Sequence, residues 1–270
     1  LNTNEIEPLF AEERKQKILE IVKRNKKVTV PELCNFFNVS GATIRNDLRD
    51  LENARLLKRT HGGAMLNTKT GFELDSKHKE VQNLTEKLII AELAIELIED
   101  GDTIILDTGT TTLELAKKLK DRKNITAVTN DLEIAKSIET FDGVSTVFLG
   151  GNIRRNFHCT LGPAGIRMLS ELTVDKAFMG VNGISVLKGA TTPDVSHAET
   201  KKAMVATANK VIILSDSSKI GKNSFAQFAT IHQIETIVTE NIEDHFKKEF
   251  DMVGIEVVTP QQNPRDHKMK

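Results

Sequence analysis

The sequence predicts a two-part α/β protein: a small, mostly helical head, then a larger domain built on a mostly parallel sheet. Three features predict it. Apolar residues in the first 53 positions fall in helical stripes broken by turn signals. From residue 103 onward, apolar runs of strand length alternate with helical patterns, the order of a parallel sheet with helical crossovers. The charge divides at the same place. Residues 1–60 hold twelve Lys or Arg against nine Asp or Glu, a balance of +3, which leaves −4 for the rest of a chain of net charge −1.

In the head, residues 12–25 carry apolar side chains at 18, 19, 21 and 22, one stripe of a charged helix. Lys26-Lys27 ends it, and Val28-Thr29-Val30 is a short extended stretch. Pro31 suits the first turn of a helix, where its missing N–H is not needed, and that helix runs to Phe37. Asn38-Val39 turns the chain. Ser40 caps the next helix, Gly41 to Asn53, with apolar positions Ile44, Leu48 and Leu51 in helical rhythm. Leu56 to Ala64 places apolar residues before a basic run and a Gly62-Gly63 turn, which predicts a small β-hairpin wing. Three helices and a wing make a winged helix-turn-helix over residues 1–66, with the helix-turn-helix itself near 28–47.

Residues 67–84 are polar and read as a linker. A Rossmann-like α/β domain follows over 85–260. It has strands near 103–107, 125–128, 144–149, 177–181, 211–214, 237–238 and 255–258. Helices lie near 86–99, 113–120, 132–138, 197–209 and 241–249. Residues 261–270 read as a loose tail.

Composition excludes several classes. No apolar run is long enough to span a membrane. The first ten residues lack the layout of a secretory leader. Cys34 and Cys159 are too few and too far apart for a disulfide framework, which fits a reducing cytoplasm. The seven histidines show no zinc-binding spacing, and no metal or cofactor is expected. Trp and Tyr are absent, so stacking platforms for single-stranded nucleic acid are not expected, and duplex DNA is the better target.

A helix capped by Ser40 would enter the major groove with its first turns facing base edges. Its outward positions are Gly41, Ala42, Thr43, Arg45, Asn46 and Arg49. Arg reads guanine and Asn reads adenine, each through two hydrogen bonds. Lys58, Arg59 and His61 in the wing would meet phosphates or the minor groove. A head used for protein contact is the alternative, with Arg45 and Arg49 paired to Asp47, Asp50 and Glu52.

The head resembles the DeoR family of bacterial sugar-metabolism regulators. The resemblance runs from Glu13-Arg14 through Ile18-Leu19, Val28-Thr-Val-Pro-Glu-Leu33 and Val39-Ser40 to Thr43-Ile-Arg-Asn-Asp-Leu48, and on through Leu56-Leu-Lys-Arg-Thr-His-Gly-Gly-Ala64. Asn46 departs from the family, which often has a second arginine there.

In the larger domain, Asp107-Thr-Gly-Thr-Thr-Thr112 lies between a strand and a helix. Ligands bind at that end of a parallel sheet, and free N–H groups attract a phosphate there. Thr129-Asn130, Gly150-Gly151 with Arg154, Asn182-Gly183 and Asp216 to Lys219 follow other strands. Each could be a plain turn or cap. Together they suit a polyol with an anionic group. Gly109, Thr110 and Thr111, with Lys219 or Arg154, would hold the anion. Asp107, Asn130 and Asn182 would hold hydroxyls, with Thr129 and Gly183 beside them.

This domain resembles the DeoR-family sensor in motif order, through Asp107-Thr-Gly-Thr-Thr, Leu149-Gly-Gly151, Asp175-Lys-Ala-Phe178, Gly180-Val-Asn-Gly183, Gly189-Ala-Thr-Thr192 and Asp216-Ser-Ser-Lys219. The resemblance implies a phosphorylated sugar effector, an operator DNA partner and a repressor of carbohydrate catabolism acting as a homo-oligomer, dimer or tetramer. The family sensor is also similar to ribose-phosphate isomerases and to the coenzyme A transferase fold. The isomerases carry four acids across the stretch that matches Met179 to Ser185. Here those positions are Met179, Asn182, Gly183 and Ser185. A non-enzymatic sensor is the expectation, and a sugar-phosphate isomerase with a DNA-binding head is the alternative.

Overall fold

The computed structural model describes residues 9–53, 56–65 and 73–260. The expected tail at 261–270 lies outside them. The chain divides into two compact units, residues 1–74 and 75–270.

The first unit holds α1 (Ala11–Asn25), β1 (Lys27–Thr29), α2 (Val30–Phe37), α3 (Gly41–Asn53), β2 (Lys58–Thr60) and β3 (Gly63–Met65). Its core joins Ile18 and Val22 of α1, Leu33 and Phe37 of α2, and Ile44, Leu48 and Leu51 of α3. The expected hairpin gains a third strand, because β1 pairs antiparallel with β3. A three-residue strand is too short to announce its partner in sequence. Gly63 sits at that junction, where a Cβ would stand 2.1 Å from the Val28 carbonyl oxygen. Thr29 and Glu32 cap α2 reciprocally: the Thr29 N–H donates to Glu32 (2.7 Å) and the Glu32 N–H to Thr29 Oγ1 (3.4 Å).

The second unit begins with α4 (Ser76–Val81) and α5 (Leu84–Ile95). Much of the described part of the expected 67–84 linker is therefore helix. Asp75 caps α4 by accepting from the His78 N–H at 2.9 Å. No residue of α4 is buried, so the segment has no apolar stripe to reveal it.

Then follow β4 (Thr103–Leu106), α6 (Thr110–Lys117), β5 (Ile125–Thr129), α7 (Leu132–Ile138), β6 (Val144–Phe148), β7 (Asn152–Arg154), β8 (Cys159–Leu161), α8 (Pro163–Ser170) and β9 (Val174–Gly180). After these come β10 (Gly183–Ser185), β11 (Gly189–Thr192), α9 (Val195–Thr207), β12 (Ala208–Leu214), β13 (Ala226–Ala229), β14 (Thr236–Val238), α10 (Asp244–Met252) and β15 (Glu256–Val258). Seven strands form one parallel sheet in the order β15-β14-β12-β9-β4-β5-β6. Strand side chains alternate between two cores. Ile104 and Leu106 join α5, α6 and α7 on one face, while Ile105 joins α8, α9 and α10 on the other.

Several elements have no counterpart in the sequence reading: the β7–β8 hairpin, α8, and the antiparallel β10-β11-β13 sheet. Their three- and four-residue strands are too brief to show a period. Helix α6 starts three residues earlier than its apolar pattern implies. Its first turn is Thr110-Thr111-Thr112, and polar β-branched residues read as loop.

Sheet order places the site. From β4 the chain winds outward through β5 to β6, then returns to lay β9 on the other side of β4. The carboxyl ends of β4 and β9 therefore flank the switch point, where an open α/β sheet leaves a crevice.

Candidate functional sites

In the first unit α3 turns its apolar side inward and its readers outward. Ser40 Oγ accepts from the Thr43 N–H at 3.2 Å, which starts the helix where its sequence places the cap. Ala42, Arg45, Asn46 and Arg49 are exposed, and Gly41 and Thr43 are half-buried. A Cβ on Gly41 would lie 3.3 Å from the Arg45 guanidinium, so the bare glycine leaves room for that side chain. Arg49 donates to Asn46 Oδ1 at 3.0 Å. Lys58, Arg59 and His61 are exposed in the wing.

The acids of α3 are occupied elsewhere. Asp47 takes Arg14 of α1 in a two-point pair at 2.6 and 3.2 Å. Asp50 pairs with Lys15 at 3.0 Å. Glu52 accepts from the Arg59 N–H at 2.9 Å. The alternative in which these acids neutralise Arg45 and Arg49 is absent from the described ion pairs.

In the second unit Asp107 follows β4 and is fully buried. Its Oδ2 accepts from the Gly180 N–H at the end of β9 (2.9 Å) and from Lys201 Nζ of α9. Lys201, itself only 2% exposed, also donates to the Gly180 carbonyl at 2.9 Å. Burial pushes the Asp107 carboxyl up, and the Lys201 ammonium opposes that shift. Gly109 has φ +156°, a conformation that side chains rarely adopt, and it turns the chain into α6. The N–H groups at Thr110, Thr111 and Thr112 begin that helix, with Thr112 Oγ1 returned to the Gly109 carbonyl at 2.8 Å.

The neighbouring strand end supplies Thr129, Asn130 and Asp131, all buried. Asn130 donates its side-chain N–H to the Thr160 carbonyl at 2.8 Å. Asp131 takes the Thr108 hydroxyl and caps α7 through the N–H groups of Glu133 (2.9 Å) and Ile134 (3.1 Å). Arg154, on the β7–β8 hairpin, stacks 3.7 Å over Phe157 and faces Asp194 at 3.7 Å. Asp194 caps α9 through the His197 N–H at 2.7 Å. His197 is buried, and burial together with Lys201 and Arg154 holds its imidazole well below the usual range.

Not every candidate joins this group. Asn182 accepts from the Thr192 hydroxyl at 3.2 Å, at the start of the small sheet. Gly183 lies in β10, where a Cβ would stand 2.5 Å from the Lys222 carbonyl oxygen, so strand packing accounts for it. Lys219 pairs with Asp216 at 3.0 Å. Near that pair lies Lys87 of α5, whose Nζ reaches the Lys79 and Glu80 carbonyls of α4. Burial and the Lys219 charge bring the Lys87 ammonium down to about 8. Asp175 is structural: it accepts from the Thr103 N–H (2.8 Å) and hydroxyl (2.6 Å) across β4 and β9.

Sequence reasoning missed Lys201, His197, Lys87 and Asp131. The signal for the first two is their spacing of four on one helix, which gives both the same face. It is muted because Lys and His in a helix ordinarily read as solvated.

Comparison with known proteins gives matches in both units. Residues 14–70 match the DeoR-like helix-turn-helix domain, and residues 82–241 match the DeoR C terminal sensor domain. The chain is 37% identical to the HTH-type transcriptional regulator GlpR of Haloferax volcanii, over 91% of this chain and 96% of that protein. It is 33% identical to the HTH-type transcriptional repressor GlcR of Bacillus subtilis, over 94% and 98%. Among solved structures, ribose 5-phosphate isomerase A of Methanocaldococcus jannaschii aligns with a TM-score of 0.38. The identity is 21%, over 52% of this chain and 55% of that one.

Proposed function

This chain belongs to the DeoR family of DNA-binding transcriptional regulators, and from that premise we propose that it represses a carbohydrate-use operon until a phosphorylated sugar binds its second unit. The observation that carries the effector half is the Asp107–Thr112 turn at the switch point, where a glycine-entered helix start adjoins a buried carboxylate.

In this reading Ser40, Gly41, Ala42, Thr43, Arg45, Asn46 and Arg49 face the major groove, and Lys58, Arg59 and His61 face the backbone or minor groove. The exposure of Ala42, Arg45, Asn46, Arg49 and the wing residues supports that role, as does the diversion of the α3 acids to other partners. The phosphate lies on Gly109, Thr110 and Thr111, with Arg154 as the cation of that group, and hydroxyls meet Asp107 and Asn130. Two copies pair to read two half-sites. A DNA-reading regulator of this kind works in the cytoplasm, and no helix of the described residues is long and apolar enough to cross a membrane.

The second unit reads its ligand without converting it. Met179 to Ser185, beside the switch point, holds no carboxylate to move a proton between neighbouring carbons. Effector binding favours one arrangement of the DNA-reading heads by its difference in affinity for the two states.

A mobility-shift assay on the DNA upstream of the gene, with a panel of phosphorylated sugars, tests the proposal. The expected result is a sequence-specific complex that one sugar phosphate dissolves. Absence of any specific complex defeats the repressor reading. A complex that no phosphorylated sugar alters defeats the effector reading.

A further inference from the structure

At the carboxyl ends of β4 and β5 and the start of α9, four buried polar atoms have no hydrogen-bond partner among the described residues: Asp107 Oδ1, Asn130 Oδ1 and both ring nitrogens of His197. Folded proteins leave few such atoms unpaired, and each calls for an explanation. His197 Nε2 stands 4.0 Å from Asp107 Oδ1, beyond hydrogen-bond reach. The hydrogen bonds described for the Asp107 and Asn130 side chains hold them in place. Asp107 is fixed through its other oxygen by Gly180 and Lys201, and Asn130 through its N–H by Thr160. The His197 backbone is fixed by the capped first turn of α9, and burial confines its ring. The unused atoms are therefore held on rigid supports.

Their chemistry specifies a complement. The two side-chain oxygens accept. A buried imidazole that feels the Lys201 and Arg154 charges stays neutral, so it offers one N–H and one lone pair. The group has three accepting positions and one donor. Hydroxyls satisfy it, since each both donates and accepts. A second phosphate or a carboxylate would face the Asp107 carboxylate and leave the accepting atoms unpaired.

We propose that His197 is a specificity-determining residue of the effector site, reading with Asp107 and Asn130 the uncharged, hydroxylated end of a monophosphorylated sugar or polyol. This rests on the reading that places the phosphate at the start of α6. Bisphosphates and phosphorylated sugar acids are excluded at the far end. The hydrogen bonds that hold Asp107 and Asn130 reduce the ordering cost on the protein side when the effector binds.

Titration calorimetry on the full chain tests this. The probes are ribose 5-phosphate, glucose 6-phosphate, fructose 1-phosphate, fructose 6-phosphate and glycerol 3-phosphate, with inorganic phosphate as the control that occupies the helix start alone. Wild type is expected to bind one sugar phosphate more tightly than inorganic phosphate. His197→Leu should lower that affinity about tenfold and leave inorganic phosphate unchanged, since one lost buried hydrogen bond is worth about that factor. His197→Asn, a smaller change to the fold, should lower the same ratio less, and it serves alone if the leucine variant does not fold. An unchanged ratio in a folded variant overturns the proposal and leaves the phosphate reading intact. So does a wild type that binds inorganic phosphate as tightly as every sugar phosphate. A wild type that binds no phosphorylated probe overturns both.

Discussion

The two units handle charge in opposite ways. In the first, the acids of α3 are tied to Arg14, Lys15 and Arg59, while Arg45, Asn46 and Arg49 point outward. In the second, Asp107, Lys201 and His197 are drawn inside and part of their bonding capacity is unspent. A convex surface that meets a polyanion can keep its cations in water until contact. A buried site has its polar groups out of water already, so they must lean on each other.

The contrast can be broken most severely at the buried pair. Lys201→Met should strand the Asp107 carboxylate and cost the second unit about 3–5 kcal/mol, measured by denaturant unfolding followed by circular dichroism. Adding Asp107→Asn should restore most of it. In the first unit Arg14→Met should cost about 3 kcal/mol, the lower end of that range, because Arg14 keeps 11% of its side chain exposed. Equal tolerance of both changes would erase the distinction drawn between the units.

A smaller effect sharpens the outward side. Arg45→Ala should lose about 1–3 kcal/mol of discrimination between operator and mismatched DNA, by competition mobility shift. Effector affinity should not change. A matching loss on all sequences would make Arg45 a phosphate contact.

Below that comes a pH slope confined to the inward side. An ordinary imidazole titrates near 6.5, and His197 is held well below that. As the pH falls below 6.5 the unfolded chain takes up a proton that the folded chain refuses. Stability present above pH 6.5 is thus lost on acidification, by up to about 1.4 kcal/mol per pH unit. His197→Leu should remove that part of the slope between pH 6.5 and 5.5, and equal slopes in the two proteins would contradict it.

The smallest effect belongs to the wing. Lys58→Ala should weaken binding to all DNA alike and reduce the salt slope by about 1. A change in sequence preference would instead assign Lys58 to a base.

The outward site was the more legible in sequence. Its apolar positions Ile44, Leu48 and Leu51 repeat at helical spacing, and they are the apolar residues α3 buries. A groove-reading helix is one contiguous segment, so one window of sequence contains it. The seven-stranded sheet was legible through its long apolar strands, such as Val211 to Leu214. The inward site draws on β4, β5, β9, α9 and the β7–β8 hairpin. Asp107 and Thr110 stand out because they follow a strand. Lys201 and His197 do not, because α9 sets buried polar residues against the sheet end and so has no clear apolar stripe. Its partner in space, Asp107, is 94 positions away, and sequence spacing carries no trace of that pairing.

The three ties on the α3 acids have a consequence for how tightly the protein can hold DNA. A reading helix that wobbles must lose that freedom on contact, and the loss weakens correct and incorrect complexes together. Asp47, Asp50 and Glu52 anchor α3 to α1 and to the wing before any DNA arrives. The conformational entropy of aiming the helix is therefore surrendered during folding. What Arg45 and Asn46 gain from base contacts is then kept as affinity instead of being consumed in ordering the helix.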